Sequence, residues 1–339
     1  MTSAIILVLN DHDLGTVVSA VFQGAYGGTR PAASTLSKLI PIMLCATGWI
    51  VAFRVRRINI GLEGQIIAGG LAAGWVGINI EVPWGPAHLL IAVAAGLVGG
   101  ALYAGIAAWM WARAGASEIL TTLMLNLIAI QVLAWVIRGP MQDKGSGFAR
   151  SESVRDSAQW PEMFAGTALH WDVVGVVALI GLTWLVLART TLGFRFDMVG
   201  ANPEMSRHMD VSPARFGVLA LLISGALAGL AGSSRILAGE VTTVSDNFSA
   251  NYGYDGIVVA LLARNSIPGL LPAALLIATL RQGGGALQSR AGVSSEIVLV
   301  VQGLIILAVA ASVLLEHRWG RQRSAVPVPE AAHHPAGGL

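Results

Sequence analysis

Charge is scarce in this chain. Asp, Glu, Lys and Arg make up only 12% of its 339 residues, against 55% apolar residues, and mean hydropathy is +0.69, so a water-facing exterior cannot be built from it. Cysteine is nearly absent too. Cys45 is the single one, and it falls inside an apolar run, which excludes a disulfide framework or a cysteine metal site within the chain. No phosphate loop of the Gly-x-x-x-x-Gly-Lys-Ser/Thr kind occurs, nor HExxH or GxSxG, and His12, His208 and His317 are scattered. ATP hydrolysis by this chain and metal- or serine-dependent catalysis therefore have no basis. An Arg-rich voltage sensor and a TVGYG-like filter are missing as well, and nothing supports nucleic-acid binding.

What is present is apolar sequence in runs of about 20 residues, the length a helix needs to cross a hydrocarbon core of about 30 Å. These runs are apolar all round, as over 87–111, without the alternation that a membrane barrel requires. The expected fold is all-α, a polytopic transmembrane helical bundle of about nine spans, predicted at 34–53, 58–80, 87–112, 118–137, 172–189, 215–237, 253–265, 268–283 and 295–315. Two of these, 253–265 and 268–283, are short and meet at Pro268 and Gly269, which predicts a broken or re-entrant pair buried among other helices. Gly96, Gly100 and Ala104, spaced by four, predict a face for close helix packing rather than a specific dimer motif. Residues 1–33 read as an extracytoplasmic or interfacial segment in which 4–9 is apolar but too short to span. Residues 34–315 read as the transmembrane domain and 316–339 as a disordered cytoplasmic tail.

Orientation follows from the short connections. Arg54, Arg56, Arg57, Arg113, Arg189, Arg195, Arg207, Arg215, Arg264, Arg318, Arg321 and Arg323 fall on one side if the spans alternate, whereas 81–86 and 239–252 contain no Lys or Arg. The basic side is expected to be cytoplasmic. The long segment 138–171 carries basic residues and lands outside, but long loops weigh less in topology.

Polar residues inside such spans are costly and are candidates for function. The first cluster, RRINIGLEGQ at 56–65, offers Asn59, Glu63 and Gln65 between Gly61 and Gly64, which allow a helix break or close backbone approach. Contact with a transported solute and a structural pairing of Glu63 near Arg56 and Arg57 both fit. In the second, GASEILTTLMLN at 115–126, Ser117 can cap a helix, and steps of four place Glu118, Thr122 and Asn126 on one face. That stripe reads as a solute route or as interhelical hydrogen bonding, the latter favoured for Thr122 and the former for Asn126. The third, 190–215, is a polar excursion between spans in which Asn202 can cap a short helix opening at Pro203. A protruding short helix suits docking to a soluble partner.

At these clusters the chain resembles the membrane permeases of bacterial ATP-binding-cassette importers for nucleosides and simple sugars, a family that includes branched-chain amino-acid permeases. The resemblance rests on the two motifs above, on TTLGFRFDMVGANPEMSRHMDV at 190–211 followed by ISGALAGLAG at 223–232, and on GYDGIVVALLARNSIPGLLPAALLIATLRQGG at 253–284. It covers about residues 20 to 315, and the NIGLEGQ wording looks most like the nucleoside or purine branch. It implies an ABC importer permease fold in the bacterial cytoplasmic membrane. It also implies a pathway formed with a second permease subunit, identical or homologous, two ATPase subunits that bind ATP and Mg, and an extracytoplasmic solute-binding protein. Asn59, Glu63, Gln65, Glu118, Thr122 and Asn126 would line the small-molecule pathway. Gly200, Asn202, Pro203 and Glu204 would form the coupling helix within a loop at about 190–214. The chain departs from the family where Ser117 stands in place of the commoner Asn and where Arg264 and Ser266 replace small residues. Before the position of Leu14, where a full span is usual, only 4–9 is apolar.

Overall fold

The computed structural model describes residues 14–238 and 242–291, together with Gly303. The apolar segment at 4–9, the ninth predicted span at 295–315 and the tail at 316–339 lie outside the described residues. Those described form eleven α-helices: α1 (Leu14–Tyr26), α2 (Thr29–Arg54), α3 (Leu62–Asn79), α4 (Gly85–Ala114), α5 (Glu118–Arg138), α6 (Asp172–Arg189), α7 (Thr191–Ala201), α8 (Pro203–His208), α9 (Pro213–Leu237), α10 (Tyr252–Leu262) and α11 (Ile267–Ala291). Among them there is no strand, only isolated bridges in the connections. Five helices, α2, α4, α5, α6 and α9, are long and apolar enough to cross a membrane.

Helix ends follow local chemistry. Gly115 closes α4 in the left-handed conformation (φ 62°), Ser117 caps α5 by accepting from Leu120 N–H, and Ser212 caps α9 ahead of Pro213. Two boundaries differ from the sequence expectation. The predicted span 58–80 becomes helical only at Leu62, because residues 55–61 enter the bundle as non-helical chain. The break near Pro268 separates an 11-residue α10 from a 25-residue α11, so one member of the predicted short pair is a full-length helix. Arg264 and Asn265 turn the chain there with φ of 53° and 54°. α1, which falls in the stretch 1–33 read from sequence as an extracytoplasmic or interfacial segment, packs on α11 and α2.

α9 is the central helix, packing on α4, α3 and α2. Its small residues explain why. A methyl group on Gly229 would fall 2.3 Å from the Gly96 carbonyl oxygen and 2.8 Å from Gly100 Cα, so the helices approach backbone to backbone. The Gly96–Gly100–Ala104 face therefore packs within the chain, where dispersion over a close contact drives association without help from water.

The connections sort to two ends. At one end the 139–171 segment lies over the α3–α4 turn and over 242–246: Arg155 pairs with Glu81 at 2.5 Å, Arg138 with Asp246 at 2.7 Å, and Ser151 N–H donates to Val244 C=O. The other end gathers the C-terminus of α2, the α4–α5 turn and the α6–α9 connection, with Arg54, Arg57, Arg113, Arg189, Arg195, Arg207 and Arg215.

Candidate functional site

The non-helical segment before α3 reaches the middle of the bundle. Asn59 Nδ2 donates to Ser224 Oγ at 2.9 Å, and Ser224 is the twelfth residue of the 25 in α9. Asn59 also forms a reciprocal amide pair with Gln65, with bonds of 2.9 and 3.0 Å, and accepts from Gly61 N–H at 3.0 Å. Asn126 reaches the same level from α5. Its Oδ1 accepts from Gly64 N–H at 2.8 Å, and its Nδ2 donates to Ile60 C=O at 2.9 Å and to Tyr254 Oη at 3.1 Å. All three side chains are buried, and these bonds use most of their hydrogen-bonding capacity.

Glu63 joins this level to α10. Its carboxylate accepts from Gly253 N–H at 2.8 Å and Asn251 N–H at 3.2 Å, and thus satisfies orphan donors at the α10 N-terminus while its charge meets the positive end of the helix dipole. The backbones touch as well, since a Cβ on Gly253 would lie 2.4 Å from the Glu63 nitrogen. α3 runs from this junction toward the end where Arg155 bonds Ile78 C=O. α10 runs toward the opposite end, where Trp49 bonds Asn265. The 18-residue α3 and the 11-residue α10 thus meet N-terminus to N-terminus about a buried carboxylate.

Glu118 is placed differently. Glu118 pairs with Arg57 at 3.1 Å near the basic end, and Arg57 also stacks over Trp111 at 4.5 Å. Thr122 Oγ1 bonds back to Glu118 C=O at 2.7 Å. So Asn59, Glu63, Gln65 and Asn126 converge at mid-bundle, with the buried Thr122 packed against Gly61 beside them, while Glu118 sits at the basic end of the same face.

Among the charged residues within the helices that escape the sequence reading, three gather around one aromatic ring, and each carried the signal of an ionisable side chain inside an apolar run. Asp255 of α10 pairs with Arg281 of α11, and the Arg281 and Arg235 guanidinium groups lie 4.6 and 5.1 Å from the Tyr252 ring. Arg235 comes from α9, so the aromatic ring of α10 is held by cations from both neighbours.

At the basic end, α7 and α8 form a helical elbow. Asn202 caps α8 by accepting from Glu204 N–H and Met205 N–H, both at 3.0 Å, and Pro203 occupies its first position. Glu204 and Met205 are exposed. The elbow is fixed to the bundle by Gly200: a Cβ there would fall 1.9 Å from the Arg54 carbonyl oxygen. Arg54 secures the same corner, donating to Leu187 C=O at 2.7 Å and pairing with Asp197 at 3.3 Å. Among the described residues no group of His, Cys, Asp and Glu could hold a metal ion.

The sequence profile described as "Branched-chain amino acid transport system / permease component" matches residues 32–310. The chain belongs to this family. The permease is 32% identical to the guanosine ABC transporter permease protein NupP of Bacillus subtilis over 94% of this chain and 92% of that protein. It is 31% identical to the nucleoside ABC transporter permease protein NupB of Lactococcus lactis over 87% and 83%. It is 33% identical to the glucose ABC transporter permease protein TsgB13 of Haloferax volcanii over 80% and 74%. With five apolar helices of spanning length among the described residues, the permease is a multi-pass membrane protein.

Proposed function

We propose that this permease is the membrane-spanning subunit of an ATP-binding-cassette importer for nucleosides. The observation that carries the cargo is the near end-to-end likeness to the guanosine permease, over 94% of this chain and 92% of that protein. The likeness to the glucose permease supports a second reading, a simple-sugar importer, over a smaller share of both chains. The descriptive name of the family keeps branched-chain amino acids as the third cargo to test.

The subunit lies in the bacterial inner membrane with its basic end in the cytoplasm, and about nine spans complete the permease fold. Two ATPase subunits hold ATP and Mg, a second permease completes the pathway, and a solute-binding protein delivers cargo to the end capped by 139–171. Support for the docking role of α8 is its geometry: an exposed, Asn202-capped helix set rigidly on Gly200 presents Glu204 and Met205 at the basic end. Closure of the ATPases pushes on this elbow and is passed to α2 and α6 through Arg54, biasing a bundle with two packings. Asn59, Glu63, Gln65 and Asn126 serve transport by holding the mid-bundle junction together, with Glu118 and Thr122 anchoring the α5 end of that face.

The deciding experiment is ATP-driven uptake into proteoliposomes carrying the complex with its partner subunits, using labelled guanosine, adenosine, glucose and leucine. Nucleoside uptake alone is the expected result. Uptake of glucose or leucine instead would replace the cargo, and uptake indifferent to ATP would remove the importer reading.

A further inference from the structure

The polar residues picked out by the sequence on α5 face into the protein; the opposite face of that helix differs in kind from the outer faces of its neighbours. Leu120, Met124, Leu127, Gln131 and Trp135 follow one another at steps of three and four, and all are exposed, so they form one outward stripe. Away from their ends, the exposed side chains of α4 and α6 are apolar, among them Leu97, Leu102 and Ile106 on α4 and Val177 and Leu182 on α6. Lipid demands such faces. Gln131 departs from the pattern. It stands 13 residues after Glu118, about 20 Å along the helix, and turns outward a carboxamide whose donors and acceptor would lose water in hydrocarbon at a substantial cost. Gln131 is the fourteenth of the 21 residues of α5, inside the apolar run, where an outward amide calls for a polar partner or water.

The geometry points to the outer stripe of α5 as a wall of the solute route, with Gln131 as its hydrogen-bonding station for a planar heterocyclic solute. The inference rests on the nucleoside-importer reading and adds to it the residue that reads the base. Trp135, 68% exposed and one turn beyond Gln131, offers a flat π face for stacking, and Met124 a polarizable contact on the other side. The amide is donor and acceptor at once and so matches the paired donor–acceptor edge of a nucleobase. A free sugar, rich in hydroxyls and without a flat ring, would find a single amide on this wall a poor match. Sparse polarity also suits a route, because a solute held by one hydrogen bond and one stack enters and leaves readily.

The test uses the reconstituted complex. Cys45 is the only cysteine and is buried, so a Cys45→Ala background carries Gln131→Cys or, as a lipid-facing reference, Leu182→Cys. A charged methanethiosulfonate reagent is expected to label Gln131→Cys at least about tenfold faster than Leu182→Cys, with guanosine slowing that labelling severalfold. In the chain that retains Cys45, Gln131→Leu is expected to lower guanosine uptake roughly tenfold and Gln131→Asn to lower it less, with ATPase stimulation by the loaded binding protein retained. Equal, slow labelling at both positions would overturn the inference. So would guanosine uptake by Gln131→Leu at the parent rate, or an oxidative crosslink joining Gln131→Cys of two copies without reagent labelling, which would make the stripe a subunit contact. The importer reading fails by a different sign, the absence of ATP-driven nucleoside uptake in the parent complex.

Discussion

Glu63 shows how one side chain can be read two ways from sequence and be settled only by a partner 190 positions away. A carboxylate beside Arg56 and Arg57 suggests an ion pair, yet it turns from them to cap α10. Glu63→Leu would leave the buried Gly253 N–H without its acceptor and the partly buried Asn251 N–H without its own, at a cost of about 2 kcal/mol. Glu63→Gln keeps an acceptor and is expected to cost less. Thermal unfolding of the solubilised permease measures both, and a Glu63→Leu melting curve matching the parent would refute the capping role. Asn126→Leu strands Gly64 N–H and Ile60 C=O in the same way, so the expected loss is in the amount of folded, inserted protein, read by quantitative immunoblot of membranes. Asn202 and Pro203 were legible where Glu63 was not, because a cap acts over two or three residues and its chemistry is written locally. Hydrogen bonds between helices far apart in sequence leave no such mark.

At the scale of elements, the apolar runs gave away most helices to within a few residues, since a run with no polar face has few other folds open to it. What periodicity could not give was the inner end of α3. Residues 58–61 are as apolar on average as the helix they precede, and only the bonds of Asn59 to Gln65 and Ser224 reveal that the chain is held there out of helical form. The contact between α4 and α9 is the element on which packing most depends. Gly229→Ala would press a methyl group into the Gly96 carbonyl and force the two helices apart, whereas Gly181→Ala on α6 meets nothing within 4 Å. The first substitution is expected to lower the melting temperature and the yield sharply, and the second to leave both near the parent. Equal behaviour of the two would mean that the close approach contributes nothing to stability.

For the whole molecule the question is how work done outside the membrane reaches its middle. Glu204 is exposed on α8 and bonds only locally, so Glu204→Arg is expected to cost little in folding. By reversing a charge on the proposed docking surface it should nonetheless reduce ATP-driven uptake by tenfold or more. Uptake at the parent rate would exclude α8 as the docking element, and a matching fall in inserted protein would assign the loss to folding.

The head-to-head meeting of α3 and α10 gives the bundle a seam. A continuous helix transmits a tilt along its whole length, because bending it breaks the hydrogen-bonded ladder; here that ladder is interrupted at the level of Glu63. The two helices are stiff individually and joined by a carboxylate with two hydrogen bonds and by a close backbone contact. α3 and α10 can therefore lean in different directions while each keeps its own backbone bonding intact, beside the unbroken α2, α4, α5 and α9. A seam of this kind lets the segment on either side of it tilt against unbroken neighbours without any backbone ladder having to open.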